Sequence, residues 1–170
     1  YIFSKSVHGR NLSKAEKQWV LLEDDYANRY TPYYDDNGNM KYKIKSCIDT
    51  FSYSFKETDA DTGEIHTVSF SVKEKRIVSF NPALAEKHKA EIMKEIQKAG
   101  SYITCKDITR EELGDSAKYI SVKNLSSDGK KIKPDISLNY DKINEDMALA
   151  GYNMIVTSET DMEPDDIYRT

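Results

Sequence analysis

Between Tyr30 and Phe80 apolar side chains recur at every second position, and that period admits little other than antiparallel sheet. Tyr42, Ile44, Ser46 and Ile48 share one face of a predicted strand; Phe51, Tyr53 and Phe55 continue the alternation, and Val68, Phe70 and Val72 answer it on another. The connections carry turn chemistry. Asp35-Asp36-Asn37-Gly38-Asn39 and Asp59-Ala60-Asp61-Thr62-Gly63 each supply a positive φ through Asn or Gly. The stretch reads as a β-meander of four strands whose aromatic residues suit a half-buried face, or a surface that a partner covers.

Helical patterns surround the meander. Tyr1 to Val7 reads as an opening strand and His8-Gly9-Arg10-Asn11 as a turn. Ser13 followed by Glu16 is a capping box, and Ala15, Trp19 and Leu22 form one apolar stripe with the only tryptophan as its packing anchor. Asn81-Pro82 opens the clearest helix, 82–99, and Gly100 is its expected stop. Leu84, His88, Ile92 and Ile96 make its inner row, with His88 at the edge of the core. Thr109 with Glu112 proposes a short capped turn ended by Gly114. Strands at 119–122 and 132–138 enclose a hairpin loop at 126–130, and Ile143, Met147 and Ala150 give a helix over 141–150 that Gly151 stops. Gly151 to Glu159 reads as a buried strand, and Pro164 with Asp165, Asp166 and Ile167 as a helix start.

With 170 residues, of which 38% are hydrophobic and 32% charged, the chain can bury a real core. No apolar run approaches the roughly 18 residues of a membrane span, and no signal-peptide pattern opens the chain, so a cytoplasmic protein with no membrane partner is expected. The net charge of −4 argues against a free-standing nucleic-acid binder but permits local basic patches. Three such patches occur, at Lys41, Lys43 and Lys45, at Lys73, Lys75 and Arg76, and at Lys130, Lys131 and Lys133. Near aromatic strands they suit a phosphate backbone; as charged strand edges they discourage aggregation.

Specific chemical motifs are missing. Cys47 and Cys105 lack zinc spacing and read as reduced, partly buried thiols. The acidic turns fail the calcium-loop spacing, and the adjacent pairs Asp24-Asp25 and Asp165-Asp166 point in different directions. There is no phosphate loop or nucleophile elbow. A hydrolase built on Ser158 and Glu159 ranks last, because His8, His66 and His88 carry no supporting motif.

Three segments do resemble a family. Tyr1-Ile2-Phe3-Ser4-Lys5-Ser6, Val72-Lys73-Glu74-Lys75-Arg76-Ile77-Val78, and Ala150-Gly151-Tyr152 through Ile155-Val156-Thr157-Ser158-Glu159 to Ile167-Tyr168 are similar to the DDE transposases of bacterial insertion sequences. The nearest subgroup carries a β-strand-rich insertion in its ribonuclease-H-like catalytic domain. The resemblance implies an α+β chain in which an antiparallel, β-rich insertion at 30–150, with its helix 82–99, is flanked by pieces of a ribonuclease-H-like α/β core. Those pieces would be a strand plus helix at 1–29 and a returning strand and helix start at 151–170. It also implies an internal segment: the second catalytic aspartate precedes Tyr1, and the glutamate of a Tyr-x-x-Arg-x-x-x-Glu pattern falls beyond Thr170 even if Tyr168 is its tyrosine. No residue of the chain is then a catalytic carboxylate or a metal ligand. In the full protein, three carboxylates would hold two divalent ions, magnesium or manganese, for strand cleavage and transfer, with transposon ends as the DNA partner and a homo-oligomer compatible. The chain itself is expected to hold no cofactor, and Lys73, Lys75, Arg76, Lys130, Lys131 and Lys133 are its candidate phosphate contacts. The alternative from another class is a non-enzymatic β-rich protein-interaction module.

Overall fold

The computed structural model describes residues 1–9, 12–23, 29–105, 110–123 and 135–169. The fold is α+β with antiparallel sheet, and it divides into two compact units: Tyr1–Asn81 with Tyr152–Thr170, and Pro82–Gly151. The expected segments were 1–29, 30–150 and 151–170; the division within the middle segment falls between Asn81 and Pro82, and one sheet takes strands from all three. Its order is β1 (Ile2–Lys5), β7 (Tyr152–Thr157), β4 (Ile65–Phe80), β3 (Met40–Thr58) and β2 (Thr31–Tyr34), every neighbour antiparallel.

The meander has three strands where four were expected, since β3 and β4 run unbroken for 19 and 16 residues. The apolar alternation changes phase near Asp49 without a turn, so Tyr42 and Ile44 face one side of the sheet and Phe51, Tyr53 and Phe55 the other. Over the inner half each face has its own cover. On one side Ile167 of α5 (Pro164–Arg169) packs on Tyr42, Ile44 and Ile77. On the other lies α1 (Lys14–Leu21), which begins on the expected capping box of Ser13 and Glu16. Its expected apolar stripe shifts. Val20 enters the core, while Leu22 is exposed because it is already the extended residue past the helix end.

Helix α1 has no basic residue in its last turn, and β3 supplies one. Buried Lys45 donates Nζ to the carbonyls of Trp19 and Leu22, the latter at 2.8 Å, with its ammonium 4.7 Å from the Trp19 ring centre and 4.6 Å from that of Tyr30. The cation thus satisfies carbonyls that a helix end leaves without partners.

In the second unit α2 (Pro82–Cys105) passes through Gly100 instead of ending there. Gly100 does not adopt the positive φ of a helix stop, and the Ser101 and Thr104 hydroxyls bond back to the carbonyls of Gln97 and Gly100. Ala99 packs with Ile92, Tyr119, Ile143 and Ala150, and that burial outweighs the roughly 1 kcal/mol by which glycine disfavours a helix interior. Then follow α3 (Arg110–Leu113), a 3-10 helix at Gly114–Tyr119, the pair β5 (Ile120–Lys123) and β6 (Asp135–Leu138), and α4 (Tyr140–Ala148), capped by Asn139. Gly151, at φ +84°, donates its amide to Nδ1 of His88 at 3.4 Å. Buried Asp146 accepts from the Tyr119 hydroxyl and Lys142 Nζ, each at 2.9 Å. Thr109, Asp24-Asp25 and the loop 126–130 lie outside the described residues. Among the described residues no helix is long and apolar enough to cross a membrane.

Candidate interaction surface

Strand β3 pairs with β2 only up to Ile44, and β4 with β7 only from Lys75, so beyond Asp49 and Glu74 the hairpin has no third strand among the described residues. The nine residues Thr50–Thr58 and their partners form a two-stranded arm about 30 Å long. Cross-strand pairs Phe51 with Val72, Tyr53 with Phe70, and Phe55 with Val68 set six apolar side chains on one face. The opposite face pairs Ser52 with Ser71 and Ser54 with Ser69, and the first pair joins its hydroxyls at 3.0 Å. Tyr53 stacks on Phe70 at 5.7 Å and Phe55 meets Phe70 edge-on at 6.2 Å, yet Phe55 and Phe70 remain 50% and 47% exposed. A lone hairpin is marginal in water, and such pairs contribute only about 0.2–1 kcal/mol each.

What anchors the arm is a charge cluster at its root, on the aromatic face. Glu74, 1% exposed, accepts from the hydroxyls of Tyr1 and Tyr53, both at 2.6 Å. The Arg76 guanidinium lies 3.6 Å from that carboxylate, pairs through Nη1 with Glu16, and stacks 3.3 Å from the centre of the Phe51 ring. Among the described residues its buried Nε has no acceptor. Glu16 also pairs with Lys5 at 3.4 Å and accepts from the Ser13 amide at 2.7 Å. Partial burial pushes the Glu16 carboxyl up, but the Ser13 amide and hydroxyl together with Lys5 and Arg76 outweigh it and hold the group below the usual carboxylate range. The bond to Glu74 is the main reason the Tyr1 phenol is pushed up to about 12.

Beside this cluster opens a groove of about 330 Å³ whose walls include Trp19, Cys47, Asp49, Phe51 and Arg76. Burial pushes the Cys47 thiol up, away from the reactive thiolate. Trp19 is therefore both a packing residue and a groove wall. A second hollow, of about 260 Å³, lies at the start of α5, where Asp165 is already engaged by the Tyr42 hydroxyl and Arg169, each at 2.8 Å.

The candidate phosphate contacts separate on this framework. Lys73 is exposed on the arm. Lys75 and Arg76 lie where β4 is an interior strand, not an edge, and are 6% and 5% exposed. Lys75 donates Nζ to the Met162 carbonyl, and Arg76 is spent on Glu16 and Glu74. Lys43 pairs with Glu23 and lies over the Tyr30 and Phe80 rings. Lys130, Lys131 and Lys133 lie outside the described residues.

No protein-family model, curated protein or solved structure matches the chain. The acidic turns keep their carboxylates for themselves: Asp35 accepts from the amides of Asn37 and Asn39, and Asp59 from those of Asp61 and Thr62. Among the described residues no group of three or more His, Cys, Asp or Glu side chains is arranged to hold a metal ion. Glu74 and Asp49 were not singled out from the sequence, and Glu16 was read only as the cap of α1, not as the partner of Arg76. One signal for Glu74 was available, a carboxylate at the same strand parity as Val72 and Phe70.

Proposed function

We propose that this chain is a non-catalytic, strand-rich part of a DDE-type DNA transposase, supporting DNA or core contacts while other residues supply metal-dependent strand cleavage and transfer. The observation that supports this reading is the adjacency of its three family-like segments. They fall on β1, β7 and β4, which are consecutive strands of the sheet. In this reading Lys73, with Lys130, Lys131 and Lys133, makes the phosphate contacts, since Lys75 and Arg76 are engaged internally. The test is cleavage of DNA bearing the element's ends, in magnesium or manganese, by the product of the gene that encodes this chain. That product should cut in a metal-dependent way, and the isolated chain should not. An inactive gene product, or nicking by the isolated chain that survives repurification, refutes the reading.

A second reading, a β-rich module that binds a protein partner, is favoured by one observation: the arm carries its aromatic side chains on one face and hydroxyls on the other. Sheet faces of that kind are built to be covered.

A further inference from the structure

We propose that the aromatic face of the β3–β4 arm, together with the groove at its root, receives an extended amphipathic segment of a protein partner that bears lysine or arginine. The two faces of the arm carry the argument. They differ in kind, with aromatic and valine side chains against serines and threonines, and the most outward rings, Phe55 and Phe70, stay about half exposed. An extended segment about as long as the arm matches the stripe, because side chains at alternate positions of a strand meet one surface.

Charge decides the class of the occupant. Around the stripe the arm carries Glu57, Asp59, Asp61 and Glu64 against Lys56 and Lys73, and exposed Asp49 stands at its root. Among the described residues, Arg76 is the arginine on this face, and it is buried and neutralised by Glu16 and Glu74. The tip of the arm is therefore anionic, and exposed Asp49 adds a carboxylate at the root, an arrangement that repels phosphate and attracts ammonium or guanidinium groups. The groove adds the chemistry such a cation needs, with Trp19 and Phe51 offering ring surfaces and Asp49 a carboxylate. This inference stands on the arm and groove alone and does not depend on the transposase reading.

The test titrates the whole chain, following emission of its only tryptophan, with synthetic peptides of about ten residues, long enough to span the arm. The probes alternate Lys with Leu, Glu with Leu, or Lys with Ser; a single-stranded DNA of similar length is the fourth. The Lys-Leu peptide is expected to bind at least about tenfold more tightly than the other three, since both the cations and the apolar face contribute. Phe55→Ser with Phe70→Ser is expected to weaken it about tenfold while lowering the urea midpoint by no more than about 1 M, since the two ring contacts removed contribute about 0.2–1 kcal/mol each. Asp49→Lys should do the same through the groove. DNA or the Glu-Leu peptide binding as tightly as Lys-Leu overturns the charge argument. Equal binding of Lys-Ser, or unchanged affinity in the Phe55 and Phe70 variant, overturns the role of the aromatic face.

Discussion

Replacing Arg76 with methionine tests whether the buried charge cluster holds the arm to the sheet. Methionine keeps the apolar stem but removes the guanidinium, leaving the Glu74 carboxylate buried with only the hydroxyls of Tyr1 and Tyr53 as donors. Orphaning a buried ion costs about 3–5 kcal/mol, mostly because the remaining charge has lost its solvent and its partner. Glu16 suffers less, since it is partly exposed and keeps Lys5 and Ser13. The double variant Glu74→Gln with Arg76→Met removes both charges, and its expected loss is about 1–2 kcal/mol, the scale of imperfectly satisfied hydroxyl bonds. Urea unfolding followed by Trp19 emission reads both, because Trp19 shares the groove wall with Arg76. With a slope of about 2 kcal/mol per molar urea, the single change lowers the midpoint by roughly 1.5–2.5 M, and the second change recovers about 1–1.5 M of that. A single variant unfolded in buffer beside a folded double variant meets the same expectation. A single loss under about 1 kcal/mol, or a double loss equal to the sum of the two singles, refutes the coupling.

Glu16→Gln should lower stability at neutral pH and flatten its acid dependence. The folded-state pKa of Glu16 lies below its unfolded value, so its stabilisation is complete above the ordinary carboxylate pKa of about 4.3 and disappears as pH falls through the folded value. Midpoints of parent and variant should therefore converge between pH 5 and 3 (about the carboxylate range), and a gap that stays constant with pH contradicts the assignment. Gly100→Ala should raise stability by about 0.5–1 kcal/mol, because the helix runs through Gly100 and an added Cβ meets nothing within 4 Å. A loss in thermal unfolding would instead mean that Gly100 holds a conformation only glycine tolerates.

The local pattern of the chain determined most of its elements. The Ser13 and Glu16 box starts α1, Pro82 starts α2, Pro164 starts α5, and the two Asp-rich turns with Gly38 and Gly63 at positive φ close the hairpins, since capping and turn geometry depend on residues only a few positions apart. The alternation that marks β3 and β4 also made the arm amphipathic before any fold was known. Its continuity past Asp49 was not legible, because a change of apolar phase reads as a break unless each face has its own cover, and those covers, α1 and α5, come from opposite ends of the chain. The same distance hid the site. Arg76 meets Glu16 sixty positions away and Glu74 meets Tyr1 seventy-three away, so residues that look like solvated charges on a strand become a buried cluster only when β4 is flanked on both sides. Sequence fixes which side chains a strand presents to each face; which face is dry, and which charges end up buried against one another, depends on the long-range packing that removes water from one side and not the other.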